Sequence, residues 1–177
     1  MIFEVLYKIS SLLNEKLRIN FKLNRNIVSV QQPENLINEG AVSVFLVNLE
    51  RDTSTGISFG NKSLAGKYTS KYRPVWEINL YVIIASVFPK KQYSDSLKII
   101  TEILRIIQEN HILSFEHKGL KYSVEPVNVS FQELSNIWSV AGGNYYPSIL
   151  CKIKTIKIDS NAMIKIDPNV EERRIQL

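Results

Sequence analysis

The sequence predicts an α+β fold, a mainly antiparallel (mixed) β-sheet with two main helices packed on it. Three observations carry this expectation. Residues 2–18 and about 95–110 set apolar side chains at three-to-four spacing, the period of a half-buried helix. Residues 41–50, 75–87 and 146–158 are rich in β-branched and aromatic residues and follow strand patterns. The elements run helix, strands, long loop, strand, helix, hairpin, short helix, strand, an order that suits helices packed on an antiparallel sheet.

In the first helix Ile2, Leu6, Ile9, Leu13 and Leu17 form the stripe, with Lys8, Asn14, Glu15 and Arg18 on the other side. "NIVSVQQ", 26–32, reads as a short strand ended by Pro33, and the turn-rich 33–40 closes at Gly40. "AVSVFLVNLE", 41–50, is nearly continuous in apolar residues, as a central strand is. Residues 51–74 show no period and hold three glycines, so they read as a long loop. In 75–87 a dry face of Trp76, Ile78, Leu80, Val82 and Ile84 alternates with a partly polar one.

Ser94 or Asp95 is placed to cap the second helix, whose stripe is Leu97, Ile100, Leu104 and Ile107, widened by Ile99, Ile103 and Ile106. A hairpin follows over 112–127, turning at His117-Lys118-Gly119. Ser130 and Glu133 make a capping-box pattern for a short helix over 130–140, and Gly142-Gly143 ends it. The closing strand, 146–158, turns Ile149, Cys151 and Ile153 inward. Residues 1–158 thus read as one domain with a long loop, and 159–177 as a C-terminal arm or tail.

Composition narrows the function classes. The chain has 177 residues, 45% hydrophobic and 22% charged, enough for a core without disulfide or metal support. One cysteine, Cys151, excludes an internal disulfide, and with two histidines it leaves no zinc-ligand spacing. The N-terminus carries Glu4 and lacks a basic leader, and no apolar run reaches the roughly 20 residues that span a bilayer. A cytosolic origin without a membrane is expected. The net charge of +5 is modest for a dedicated nucleic-acid binder.

No nucleophile motif is present, and Glu102 and Glu109 fall on the solvated side of their helix with Lys98 and Arg105. His111, at the end of that helix, is placed to meet its last carbonyls. Gly142-Gly143 has the wrong polarity for a phosphate cradle, since a helix ends there and none begins. The expectation is a structural joint of Trp138, Gly142, Gly143, Tyr146 and Pro147, with no catalytic residue, cofactor or metal. Candidate interface residues are Lys62, Lys67, Tyr68, Lys71, Tyr72 and Arg73 in the basic, tyrosine-containing loop. Such a loop suits a protein partner or, as the second reading, a nucleic-acid-binding module using residues 51–73.

Several segments, taken in order, resemble a known family. "VSVFLVNLERD" runs into a polar loop, and "RPVWEINLYVIIAS" opens on proline and continues as an apolar strand. The helix "SDSLKIITEILRIIQEN" and a hairpin follow, and "ELSNIWSVAGGNYYPSILCKIKTIKI" leads into the last strand. Over about residues 1–160 this order resembles the cap, or tail-terminator, proteins of phage-tail-like contractile injection systems. The matching motifs are Asn79-Leu80-Tyr81, then Ile137-Trp138, Gly142-Gly143 and Tyr146-Pro147-Ser148. Glu50-Arg51-Asp52 departs from the family's Glu-Asn, and "ASVFPKKQY" from its usual continuation.

The resemblance implies a mechanical role. A homo-hexameric ring would end growth of the inner tube and anchor the terminal sheath layer. The partners would be the chain itself, the tube and the sheath, in a particle assembled from the bacterial cytoplasm. An exposed strand edge would be available to a sheath strand, and the tail to an adjacent subunit.

Overall fold

The computed structural model describes residues 2–33, 40–53, 61–64, 68–72, 76–115, 120–158 and 163–168. Its helices are α1 (Ile2–Phe21), α2 (Tyr93–Glu109) and α3 (Phe131–Val140). Its strands are β1 (Val28–Ser29), β2 (Ala41–Arg51), β3 (Asn61–Leu64), β4 (Tyr68–Tyr72), β5 (Trp76–Val87), β6 (Ile112–Phe115), β7 (Leu120–Pro126), β8 (Ser148–Ile158) and β9 (Met163–Pro168). The chain divides into two compact units, Met1–Glu50 with Asn79–Thr155, and Arg51–Ile78 with Ile156–Leu177.

The larger sheet has the order β1-β2-β5-β8-β7-β6. β1 runs parallel to β2, while β6–β7 and β7–β8 are antiparallel, so the sheet is mixed. The expected α+β class is what the chain adopts.

α1 forms because its apolar residues share one stripe: Val5, Leu6, Ile9, Leu13 and Leu17 are all buried. Asn14, expected on the polar side, is also buried. Its carboxamide accepts from the amides of Ile27 (3.0 Å) and Val28 (2.9 Å) and donates to the Val28 carbonyl (2.8 Å). A buried amide is stable only with such partners, and the backbone of β1 supplies them. Only Val28–Ser29 of the expected 26–32 strand pairs.

Strand alternation sorts the core into two layers. Val42, Val44, Leu80, Val82, Ile84, Cys151 and Ile153 are buried with the α1 and α2 stripes on one face. The Ser96 hydroxyl donates to the Ser86 carbonyl (3.1 Å) and ties α2 to β5. On the opposite face Ala41, Phe45, Ile83, Ala85 and Val87 cluster with Trp138 of α3. The second face of β5, expected partly polar, is therefore dry along this stretch, because α3 covers it.

α2 begins at Tyr93 behind a turn of 3-10 helix, with Gln92 as N-cap and no side-chain cap, so neither Ser94 nor Asp95 plays the expected part. Its buried residues are Ser96, Ile99, Ile103, Ile106 and Ile107. Leu97 and Leu104, expected at the centre of the stripe, are 42% and 43% exposed. Seven apolar residues cover more of this helix than one sheet can bury, so periodicity alone leaves its rotation open. Asn110, not His111, closes the helix: its amide and side chain both donate to the Ile106 carbonyl.

In the second unit, β3-β4-β9 form a three-stranded antiparallel sheet. The segment expected as a loop thus contains a hairpin, and part of the expected tail pairs with it. Short polar strands such as "NKSL" and "YTSKY" lack the apolar period from which strands are read.

Candidate functional site

α3 and the turn behind it are built from local rules. The Ser130 side chain accepts from the Glu133 amide (3.2 Å), and the Glu133 carboxylate accepts from the Ser130 amide (3.0 Å), a complete capping box. The Ser130 hydroxyl, which donates to the same carboxylate (2.7 Å), and then the Ser130 amide hold the Glu133 carboxyl below the ordinary carboxylate range. At the other end, the Gly143 amide donates to the Trp138 carbonyl (2.9 Å), the six-to-one bond of a Schellman turn. Gly142 and Gly143 take φ of 95° and 74°, the left-handed region that glycine enters without a Cβ penalty.

The turn wraps the chain around Trp138, which is 3% exposed. Its ring meets Phe45, Tyr145 and Tyr146 edge to face, with centroids 6.3, 6.1 and 5.6 Å away. Aromatic edges are positive and faces negative, so this arrangement adds to the burial energy. Burial also pushes the Tyr146 hydroxyl pKa up. The Pro147 carbonyl accepts from the Ser86 amide (2.9 Å), which fixes the entry to β8. Trp138, Gly142, Gly143, Tyr146 and Pro147 therefore lie together, with Phe45 of β2 as a neighbour that sequence spacing could not supply.

A groove of about 470 Å³ is lined by Val47, Val127, Ile137, Leu150, Glu50 and Glu133 among others. Its carboxylates are engaged. Glu50 accepts from the Tyr81 hydroxyl (2.5 Å) and pairs with Lys152 (3.5 Å), whose ammonium also lies 5.3 Å from the Tyr81 ring centre. Tyr81 first, then Glu50, hold the Lys152 pKa above its ordinary value. On α2, Arg105 bridges Glu102 and Glu109, and Lys98 pairs with Asp95, so these charges form a solvated lattice. The Arg105 guanidinium is also the main cause of the lowered Glu102 pKa. Burial raises the Cys151 thiol to about 12, which leaves it a neutral hydrophobe. Among the described residues no group of His, Cys, Asp and Glu could hold a metal ion, and no helix is long and apolar enough to cross a membrane.

Of the basic candidates, Lys62 falls on β3 and Tyr68, Lys71 and Tyr72 on β4, while Lys67 and Arg73 lie outside the described residues. Lys62 stands opposite Ser70, and Lys71 stands between Asn61 and Lys165 of β9. Lys165 is a ladder neighbour that the sequence did not mark, because nothing local links residues 71 and 165. In the same unit the Arg51 guanidinium lies 5.7 Å from the centre of the Trp76 ring.

Two solved structures share the fold. One is the PVC sheath/tube terminator of an extracellular contractile injection system in its extended state. It matches with a TM-score of 0.67 and 17% identity, over 100% of this chain and 63% of that one. The other is the tube-terminating cap of the anti-feeding prophage, with a TM-score of 0.58 and 14% identity, over 94% of this chain and 58% of that one. The chain thus spans about three-fifths of the length of each. No curated protein matches the sequence. The profile of the Pvc16 N-terminal domain matches residues 4–172, nearly the whole chain, and the chain belongs to that family.

Proposed function

We propose that this chain is a structural cap, a tail terminator that ends a tube and its sheath in a contractile injection system. The observation that carries the reading is the family match over residues 4–172, joined to a fold shared along its whole length with a sheath/tube terminator. The chemistry agrees: Glu102 and Glu109 are paired with Arg105, Glu50 with Lys152, Glu133 is taken up in the α3 cap, and the thiol is buried. A non-enzymatic role follows from that reading.

In the finer reading, copies of the chain form a ring, six-fold by expectation. The ring ends tube growth and anchors the last sheath layer. The candidate rim is the sheet holding Lys62, Tyr68, Lys71, Tyr72 and Lys165, which presents polar strands to a neighbour or to the tube. The protein is made in the bacterial cytoplasm and carried in the assembled particle.

The test is co-assembly. Tube and sheath proteins encoded beside this chain are assembled with and without it, and lengths are measured by negative-stain microscopy. A cap gives a narrow length distribution and a ring of density at one end. Unchanged lengths and bare ends would end the proposal.

A further inference from the structure

α2 carries two apolar faces, and the core takes one of them. Ile99, Ile103, Ile106 and Ile107 are buried, while Tyr93, Leu97 and Leu104, with half-buried Ile100 between them, run along the outside at spacings of four, three and four. The charges of the helix lie elsewhere. Asp95, Lys98, Glu102, Arg105 and Glu109 pair with one another on the side that meets α1, where the Asn20 carboxamide donates to Glu102 (2.5 Å). Leu97 and Leu104 stand about 150° round the helix from Glu102, so the outer apolar ridge faces away from α1. Ser94 and Thr101, on its rim, are exposed and uncharged.

α1 carries a hollow of matching character. A groove of about 580 Å³ runs between α1 and the β1 segment, lined by Phe3, Tyr7, Glu15, Arg18, Val28 and Val30 among others. Phe3 and Tyr7 stack with ring centres 6.1 Å apart and are 65% and 62% exposed, so the groove opens on apolar surface that a partner would take out of water. Tyr7 lies about 140° round α1 from Asn20, so the groove faces away from α2. Ridge and groove therefore stand on opposite flanks of the two-helix layer. The Ser29 hydroxyl, which lines the groove, is buried without a hydrogen-bond partner among the described residues.

We infer that copies of this chain join head to tail through these two surfaces, the α2 ridge of one copy lying in the α1–β1 groove of the next. The inference rests on the ring reading above and assigns the surfaces that join its copies. The occupant is a second copy because one chain carries both halves of the contact. Each half is apolar at its centre, and the contact brings no like charges together: Glu15 and Arg18 on the groove's rim are of opposite sign, and the ridge carries no charge. Tyr93 is the ridge residue with a polar tip, and its hydroxyl is the group that completes Ser29. A two-fold pairing fits less well. Ridge on ridge leaves both grooves open, and groove on groove leaves both ridges bare. A head-to-tail contact covers both, and repeated about an axis it closes a ring.

The test is cysteine cross-linking of the full chain, in solution and on assembled tube–sheath particles. Ser11→Cys, in the groove wall, and Thr101→Cys, on the rim of the ridge, stand beside the contact without removing its apolar centre. Cys151 is buried and does not compete. Each variant alone and an equal mixture are treated with a short bismaleimide. The mixture is expected to give a covalent dimer, neither variant alone more than a trace, and the double variant a ladder that ends at the closed ring. Leu97→Glu, at an exposed position, keeps the fold and is expected to weaken association between copies about tenfold or more.

Cross-linking of Thr101→Cys to itself shows ridge-on-ridge pairing, and of Ser11→Cys to itself groove-on-groove pairing, and either overturns the inference. A parent chain that forms rings while the mixture stays uncross-linked, or while Leu97→Glu associates as tightly as the parent, overturns it and leaves the ring reading standing. A parent that neither self-associates nor cross-links, in solution or on particles, removes the inference together with the ring reading.

Discussion

The carboxamide of Asn14 pairs with both the amide and the carbonyl of Val28, so one helical side chain completes the outer edge of β1. Asn14→Ala leaves the Ile27 and Val28 amides buried without partners and the Val28 carbonyl with the Ser10 hydroxyl alone. The expected cost is about 2–4 kcal/mol, read as a shift in urea midpoint at constant slope. Asn14→Asp keeps an acceptor but buries a carboxylate beside the Val28 carbonyl, and is expected to destabilise increasingly as pH rises above the carboxylate range.

Trp138 fills the space between β2 and the turn after α3. Trp138→Ala is expected to cost about 3–5 kcal/mol in thermal or denaturant unfolding. Its ring nitrogen is buried without a hydrogen-bond partner among the described residues. Trp138→Phe should therefore cost only the lost volume, roughly 1–2 kcal/mol, and a loss as large as that of the alanine variant would show that the nitrogen matters.

Gly142 sits at φ 95° where α3 ends. Gly142→Ala places a Cβ in that region and is expected to cost about 1–2 kcal/mol, with α3 fraying first in hydrogen exchange. Ser130→Ala removes the cap at the other end, for about 0.5–2 kcal/mol. Its partner Glu133 has a lowered pKa, so the capping contribution is present above the ordinary carboxylate pKa and is lost as pH falls through the lowered one. The difference between parent and Ser130→Ala should narrow in acid.

Cys151 should resist thiol reagents in the native state near neutral pH and react at once after unfolding. Its thiol pKa rises from about 9 to about 12 on burial, so the folded state holds this proton more tightly than the unfolded one. That contribution is complete below about pH 9 and is lost as pH climbs toward 12. Cys151→Ala should flatten this part of the alkaline stability curve, and an equal alkaline slope in both proteins would remove the assignment.

Much of the larger unit was legible because its signals are local. The α1 stripe, the inward set Ile149, Cys151 and Ile153, the Ser130–Glu133 capping box and the glycine-ended α3 each follow from residues a few positions apart. The misreadings share one cause. Asn14 looked solvent-facing because its partners, Ile27 and Val28, are backbone groups with no sequence signature. The sequence leaves the rotation of α2 undetermined because seven apolar residues share it, and the face it buries holds Ile99, Ile103, Ile106 and Ile107. The β3 and β4 hairpin read as a loop because its strands are polar and its third partner, β9, lies nearly a hundred residues away.

By itself the sequence determined the elements with strong apolar periods, the caps and the resemblance to a terminator family, since these depend on spacing along one segment. Tertiary structure alone decided which face of α2 is dry, that Phe45 completes the Trp138 cluster, and that Asn14 closes β1 at Val28. Those outcomes depend on which segments share a surface and on where backbone groups find partners, and neither is encoded in the period of any one segment.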